Sequence, residues 1–280
     1  MPILQAVVLG IVQGITEFLP ISSDGHLILV PSLLGWERFG LGFDVLLHLG
    51  TLIGTLIYFR KDFTALAVAC VSLDGARAPQ RRLAVLILAV TVVSGIVALG
   101  LEGFVEGVED RAPEAQIAIS AAGLLLTTLL LGGSELVARR SRSRRASEDP
   151  ATLRAGALIV LGVAQGLAAL PGVSRSGSTI ASGQALGLSR ESAARFSFLL
   201  SVPIVGVAVL KKTYDAAGTP GVFPDLATSL VGVAVTAVVS IGALSFLIPF
   251  VKRHSLGWFA AYTGTAGILL LVIYGKAVGL

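Results

Sequence analysis

The chain has 280 residues, of which 54% are hydrophobic and only 14% are charged. A soluble domain usually carries about a quarter charged residues, so this composition excludes most soluble classes and predicts a protein that is membrane-embedded throughout. The net charge of +4 does not indicate a nucleic-acid partner, because the densest basic run, 139–145, directly follows an apolar stretch, as cytoplasmic loops of membrane proteins do. Cys70 is the single cysteine, which excludes an intrachain disulfide.

The first predicted element is an apolar segment, residues 1 to about 35, that is interrupted by Pro20. Gln13 and Glu17 are four residues apart and therefore share one helix face. Beyond the proline, a second helix begins at a turn whose serines or aspartate can cap it. Ionisable groups at membrane depth are costly and so indicate a functional site; the alternative is a structural Glu17–His26 pair. The polar residues of the turn are Ser22, Ser23, Asp24 and His26.

Three membrane spans are predicted after this segment, and the charges of their loops predict the orientation. The loop of residues 60–82 is basic and is placed inside, the loop of residues 102–114 is acidic and is placed outside, and the arginine-rich loop returns inside. In the first of these spans, Asp44 and His48 lie one helical turn apart. They either support the site or form a polar pair between helices, and the sequence leaves both readings open.

The segment 153–188 is predicted to enter and leave the membrane on the same side. Spans at about 196–210 and 226–251 already provide the two crossings between the arginine-rich loop and the basic loop 252–254. This predicts a re-entrant hairpin with its turn at residues 171–172. The same reasoning makes the N-terminal segment a re-entrant hairpin that enters from outside. Such broken helices are tolerated only where protein or a cavity surrounds them.

The turn of the second hairpin has the composition of a phosphate cradle. Its small residues let a ligand approach the backbone, and hydroxyls and free N–H groups at a helix start favour an anion. Arg175 adds a planar fork of donors that matches phosphate oxygens. Small-residue helix packing is the alternative, but it does not account for the arginine. The predicted phosphate-binding side chains of this turn are Ser174, Arg175, Ser176 and Thr179.

The two hairpins resemble each other, since residues 10–14 read GIVQG and residues 162–166 read GVAQG. The prediction is an all-α polytopic membrane protein with an inverted-topology repeat, six full transmembrane spans and two re-entrant helical hairpins. It forms a single membrane domain over 1–280, with repeat one at about 1–138 and repeat two at about 153–280. A basic cytoplasmic loop, 139–152, joins them, and the site is expected where the two turns meet.

At these two turns the sequence resembles the undecaprenyl-diphosphate phosphatases of the bacitracin-resistance type. The first motif reads QGITEFLPISS over residues 13–23, followed by Gly25 and His26, and the second reads PGVSRS over residues 171–176. Residues 196–203 are also similar. Two positions depart from the family pattern: Gln13 stands where many relatives have glutamate, and Asp24 stands where threonine is usual.

The resemblance implies hydrolysis of undecaprenyl diphosphate to undecaprenyl phosphate and inorganic phosphate, which recycles the lipid carrier of cell-wall synthesis and confers bacitracin resistance. On this basis Ser23 or His26 is expected to be the nucleophile and Glu17 a general base or metal ligand. The expected catalytic residues are Glu17, Ser23, His26 and Arg175, and the phosphate-binding residues are Ser22, Ser174, Arg175, Ser176 and Thr179. A divalent cation, Mg²⁺ or Ca²⁺, is expected on Gln13 and Glu17.

The expected location is the bacterial inner membrane, with the site opening toward the outer face; the sequence leaves both a monomer and a homodimer open. A secondary transporter or flippase of a phosphorylated polyprenyl lipid is the main alternative, because inverted repeats with broken helices are typical of transporters. A lipid phosphatase of the phosphatidic-acid type is set aside, since that family has a histidine shortly after a serine-arginine pair and none follows Arg175 before His254.

Overall fold

A computed structural model describes residues 2–37, 39–72, 74–140, 146–216 and 221–279. Within these ranges the chain forms eleven α-helices, numbered α1 to α11 in chain order. Their bounds are Pro2–Thr16, Ser23–Leu34, Leu41–Tyr58, Arg60–Val71, Ala78–Glu109, Pro113–Arg140, Ala155–Gly166, Arg175–Ala185, Arg190–Ala216, Leu226–Arg253 and Gly257–Tyr274. The predicted all-helical class is therefore confirmed for the described part of the chain.

Six of these helices are long and apolar enough to cross a membrane, namely α3, α5, α6, α9, α10 and α11. A crossing requires roughly 20 predominantly apolar residues. The outward face of α5 is apolar, as a face in contact with lipid is expected to be: Leu88, Val92 and Ile96 are each about 60% exposed. The prediction of a multi-pass membrane protein with six helices able to span the membrane is confirmed. The helix α4 was not predicted: it forms within the loop of residues 60–82.

The remaining short helices form two hairpins, α1 with α2 and α7 with α8, and each first helix packs closely on a long one. A Cβ atom at Gly14 of α1 would lie 2.8 Å from a valine of α10, and one at Gly166 of α7 would lie 2.5 Å from a valine of α5. Gly10 and Gly162, four residues earlier, face the same partner helices. Glycines at this spacing let two helix backbones approach closely inside a membrane.

Ion pairs divide the charged loops between two ends of the bundle. At one end, Arg190 contacts Glu135 at 2.7 Å, Arg195 contacts Asp62 at 3.1 Å and Lys252 contacts Glu191 at 2.7 Å. We call this the α9-start end. At the opposite end Lys211 pairs with Glu102, and Lys212 lies 3.7 Å from Glu109. The acidic loop of residues 102–114 is thus at the end opposite the loop of residues 60–82. The predicted basic run lies partly outside the described residues, since 141–145 are not among them.

Candidate functional site

The first hairpin turns between α1 and α2 through residues 17–22, which we call the first tip. The ring of Phe18 packs edge-on against Phe198 of α9, with ring centroids 5.5 Å apart, and this holds the tip inside the bundle. Among the described residues, Ser22 alone of the non-glycines has a positive φ, 68°. It stands at the N-cap of α2 but makes no side-chain capping hydrogen bond. Strained backbone of this kind persists only where the surroundings enforce it, and it is common at functional sites.

Glu17 is the centre of the site, and its side chain is 7% exposed. Its Oε2 accepts hydrogen bonds from Ser23 Oγ at 2.7 Å and from Gln13 Nε2 at 3.1 Å. Its Oε1 accepts a hydrogen bond from Arg175 Nη2 at 2.8 Å. The structure therefore brings together three of the four predicted catalytic residues, Glu17, Ser23 and Arg175, although they come from opposite halves of the chain.

The second hairpin turns through residues 167–174, the second tip, and hydroxyl side chains at this tip and at the start of α8 bond to the backbone around Arg175. Ser174 caps α8, because its Oγ accepts a hydrogen bond from Gly177 N at 3.0 Å. Ser176 Oγ donates to Leu19 O of the first tip at 3.1 Å, and Thr179 Oγ1 donates to Arg175 O at 2.9 Å. These hydroxyls lie beside the site but are bonded to protein atoms, so their role in binding phosphate remains a prediction.

A glycine fixes the second tip against α6. Gly172 has φ +81°, and a Cβ atom at this position would lie 1.8 Å from Ser120 O. Only glycine fits here, because it tolerates positive φ and leaves room for the neighbouring backbone. The backbone N–H of Ser174 also donates to Thr127 Oγ1 of α6 at 2.9 Å. The position of Arg175 is thus set by α6 as well as by the first tip.

Two polar atoms beside Glu17 are buried without a hydrogen-bond partner. They are Nε of Arg175, a donor, and Oε1 of Gln13, an acceptor. An unsatisfied buried polar atom costs about 1–3 kcal/mol, which a ligand at the site could recover, although five further buried side-chain atoms of the described residues are also unpartnered. Arg175 Nη1 donates to Ser197 O at 3.3 Å, whereas Nε has no partner. The site therefore offers one donor suited to an anion and one oxygen suited to a cation.

His48 joins the site from α3, which decides between the two readings of the Asp44–His48 spacing. Its Nδ1 donates to the backbone oxygen of Asp44 at 2.8 Å, and its Nε2 lies 3.7 Å from Glu17 Oε2 and 3.8 Å from Asp24 Oδ1. The sequence left open whether His48 supports the site, and its one-turn spacing from Asp44 on a predicted span was the signal. The Asp24 side chain is 58% exposed, so this residue lies at the surface of the bundle beside the site.

His26 lies in the first turns of α2, beside the first tip, but points to a different partner. Its Nδ1 bonds to Ser22 O at 2.6 Å, its Nε2 lies 2.8 Å from the hydroxyl of Tyr262 on α11, and the two rings are stacked. The alternative reading, in which Glu17 and His26 pair to hold the hairpin, is wrong, because Glu17 pairs with Arg175 and His26 with Tyr262. Both ring nitrogens of His26 are engaged.

Six spanning helices around a buried glutamate, serine and arginine define a multi-pass membrane protein whose polar site lies inside an apolar bundle. Residues 6–269 match the family model described as Bacitracin resistance protein BacA, and the chain belongs to that family. This confirms the resemblance found in the two motifs.

Relatives in other bacteria match along almost the whole chain. The undecaprenyl-diphosphatase of Trichlorobacter lovleyi is 42% identical over 279 residues, which are 98% of this chain and 98% of the relative. That of Geobacter metallireducens is 43% identical over 276 residues, covering 96% and 98%. That of Rubrobacter xylanophilus is 44% identical over 267 residues, covering 93% and 94%.

Proposed function

We propose that this protein hydrolyses undecaprenyl diphosphate to undecaprenyl phosphate and inorganic phosphate, the activity for which its relatives are named. Hydrolysis of this lipid recycles the carrier of cell-wall synthesis, and the role in bacitracin resistance follows from the family. The observation that carries the proposal is the contact of both tips at Glu17, with Ser23 Oγ at 2.7 Å and Arg175 Nη2 at 2.8 Å. A nucleophile, a base and a phosphate-binding cation thereby meet at one point.

Ser23 is favoured as the nucleophile because its hydroxyl already donates to a carboxylate that can take its proton. Ser23 Oγ would attack the terminal phosphorus, and the bond from that phosphorus to the bridging oxygen would break, releasing undecaprenyl phosphate. The hydroxyl proton passes to Glu17, and water then hydrolyses the phosphoserine. His26 is the other candidate nucleophile, but both of its ring nitrogens are hydrogen-bonded, to Ser22 O and to the hydroxyl of Tyr262. We propose instead that His26 positions the first tip.

Arg175 would neutralise the charge of the diphosphate, since phosphoryl transfer depends chiefly on positioning and charge neutralisation. Its unpartnered Nε is one donor available to a phosphate oxygen. Ser22 stands at the uncapped start of α2, where free N–H groups favour an anion. The remaining members of the proposed phosphate-binding set hold or adjoin the arginine; they are Ser174, Ser176 and Thr179.

We propose Gln13 and Glu17 as the protein ligands of a divalent cation, Mg²⁺ or Ca²⁺. Both carboxylate oxygens of Glu17 accept hydrogen bonds from protein donors, so the cation would have to replace some of these bonds. The unpartnered Oε1 of Gln13 and the carboxylate of Glu17 are hard oxygen donors. Among the described residues no group of three His, Cys, Asp or Glu side chains is arranged to hold a metal. Mg²⁺ commonly binds through one or two carboxylates together with substrate phosphates rather than in an all-protein cage, and Glu17 would supply the carboxylate. When bound, such an ion supplies further charge neutralisation at the diphosphate.

The architecture we propose is an inverted-topology repeat within one membrane domain, with α1–α2 and α7–α8 as re-entrant hairpins. Repeat one spans about 1–138, repeat two about 153–280, and the loop 139–152 joins them. Two observations support it. The GIVQG glycines of α1 pack on α10 and the GVAQG glycines of α7 pack on α5, and the two hairpin helices begin at opposite ends of the bundle.

The site is proposed to open toward the outer face of the bacterial inner membrane. The exposed Asp24 lies in the first turn of α2. Helix α2 leads away from the site toward the start of α3, and α3 ends near Asp62 at the α9-start end. The opening therefore lies toward the end that carries the acidic loop, and the positive-inside rule places that end outside. Both tips belong to one chain, so the proposed site is complete in a monomer.

The decisive experiment supplies undecaprenyl diphosphate to the purified protein in detergent and measures released inorganic phosphate. We expect turnover that is lost in Ser23→Ala and Arg175→Ala, both of which should still fold into the detergent-soluble bundle. If the protein binds or moves the lipid across vesicle membranes without releasing phosphate, the transporter or flippase alternative replaces this proposal.

A further inference from the structure

Tyr262 lies on a spanning helix, α11, and is half exposed, yet its hydroxyl points toward the first hairpin. The phenol oxygen is 2.8 Å from Nε2 of His26, and the two ring planes are within 13° of parallel. Tyrosines of membrane proteins usually place their hydroxyl groups at the level of the lipid headgroups. This hydroxyl instead bonds to a residue of the hairpin that forms the candidate site.

The two hydrogen bonds of His26 fix where its ring carries hydrogen. The backbone oxygen of Ser22 can only accept, so Nδ1 of His26, 2.6 Å away, carries a hydrogen and donates it. A neutral imidazole costs less than a charged one inside an apolar bundle. Nε2 is therefore without hydrogen and accepts from the hydroxyl of Tyr262. The chain of donors runs from the phenol through the imidazole to the backbone of the first tip.

This chain of hydrogen bonds ends at the strained residue of the first tip. Ser22 is buried and has φ 68°, and such a backbone persists only where its surroundings enforce it. The ring of His26 holds the Ser22 carbonyl from one turn further along α2. The next residue, Ser23, donates to Glu17 Oε2 at 2.7 Å. A change in the orientation of the ring would therefore displace the hydroxyl proposed as the nucleophile.

Helix α6 supports both tips through two neighbouring threonines. Thr127 Oγ1 accepts the backbone N–H of Ser174 in the second tip at 2.9 Å. Thr128 Oγ1 lies 2.8 Å from the hydroxyl of Thr263 on α11, one residue from Tyr262. Two glycines of α11 also pack against α6, so the phenol stands on a firmly held helix. Tyr262 thus links the first tip to the same helix that holds the second.

We propose that Tyr262 is a positioning residue for the reaction: its hydroxyl orients the ring of His26, and this ring holds the first tip in the form that presents Ser23 to its carboxylate partner. The inference rests on the proposed function, because it concerns the nucleophile of that same reaction. Tyr262 acts through His26, so its loss should slow the chemical step and leave the binding of the diphosphate at Arg175 unchanged.

Tyr262→Phe tests the proposal, because it keeps the ring and removes only the hydroxyl. We expect kcat for phosphate release to fall by about tenfold or more, since a small displacement of a reacting group has a large effect on rate, while KM and the unfolding temperature in detergent stay as they are. The matched control Tyr274→Phe removes a hydroxyl from the other end of the same helix and should keep the original kcat. An unchanged kcat in Tyr262→Phe, or a loss of activity carried by KM alone, would overturn the proposal.

His26→Asn separates the two hydrogen bonds of the ring. The asparagine amide can still donate to Ser22 O from the place of Nδ1, but it is too short to reach Tyr262. This variant should lose about as much kcat as Tyr262→Phe, and the double variant should lose no more than either one, because both changes break the same chain of bonds. Losses that multiply in the double variant would show that Tyr262 acts without His26, which contradicts the proposal.

The state of the ring can also be measured without turnover, by nitrogen NMR of the protein labelled in its histidines. The signals missing from His26→Asn identify this residue. In the unchanged protein they should show hydrogen on Nδ1 and none on Nε2, and the Nε2 signal should shift in Tyr262→Phe. Hydrogen on Nε2 would overturn the inference whatever the activity. If the expected pattern is found but undecaprenyl diphosphate is not hydrolysed, the hydrolase proposal fails and the assignment of the ring stands.

Discussion

Removing the guanidinium of Arg175 is expected to damage both stability and activity, by amounts that the contacts allow us to estimate. The Arg175 and Glu17 side chains are 14% and 7% exposed, and their nearest charged atoms are 2.8 Å apart. At an effective dielectric constant of about 20, the attraction at that distance is about 6 kcal/mol. Desolvation offsets much of it in the intact pair, but breaking a buried pair from one side typically costs about 3–5 kcal/mol, because the other charge stays buried.

Arg175→Ala should therefore unfold in detergent at a clearly lower temperature than the unchanged protein. Its kcat/KM for phosphate release should fall by roughly 10²-fold or more, the usual effect of removing one electrostatic stabiliser of a transition state. Arg175→Lys should restore only part of the activity, because a point charge replaces a two-pronged donor.

The double variant Glu17→Gln with Arg175→Met separates the two effects. Removing both charges should recover most of the stability lost in Arg175→Ala, since no unpaired charge remains, yet it should stay inactive. Thermal unfolding followed by fluorescence, with phosphate release on the same samples, checks both quantities. If Arg175→Ala kept the unfolding temperature and the turnover of the unchanged protein, the assignment of this pair to the site would be wrong.

Three further predictions test the cation, the second tip and the topology. A chelator should abolish phosphate release and a divalent ion restore it, whereas Glu17→Gln should stay inactive in either condition; chelator-resistant turnover would leave Glu17 as a general base alone. Gly172→Ala should lower the free energy of unfolding by at least about 2 kcal/mol through strain and overpacking, and Gly95→Ala, with nothing within 4 Å, should be near neutral. In a cysteine-free background, single cysteines at 106 and 142 should be labelled from opposite sides of the membrane; labelling from the same side would contradict the inverted repeat.

The sequence predicted the spanning helices and the two motifs because their signals are local. Apolar length sets a spanning helix, and Pro20 and residues 171–172 mark the break between the two helices of each hairpin. The sequence also predicted which loops lie at the same end of the bundle, because the side of the membrane on which a loop lies determines its charge, whatever the packing of the helices. Glu17 and Arg175 could be singled out for the same reason, since each is an ionisable group in an apolar segment.

Partners across the bundle could not be read from the sequence. Helical periodicity gives the face on which a residue lies, but not which of several neighbouring helices that face contacts. His26 and Glu17 are on one hairpin, yet His26 meets Tyr262 of α11 and Glu17 meets Arg175 of α8. Ser176 was predicted for its chemistry, but its hydrogen bond to Leu19 O depends on how the two tips approach each other. These contacts are tertiary, and they decide the geometry of the site.

The two positions that depart from the family pattern are neighbours of the same carboxylate. Gln13 donates to Glu17 Oε2 at 3.1 Å, so an amide here stabilises the charge of Glu17, where a glutamate would repel it. The acidic group that is absent at position 13 is present at Asp24. His48 links the two carboxylates, because its Nε2 lies 3.8 Å from Asp24 Oδ1 and 3.7 Å from Glu17 Oε2. Relative to a glutamate at 13 and a threonine at 24, the formal charge around Glu17 is unchanged. It has moved from a buried position to an exposed one, where an ionised carboxylate costs less.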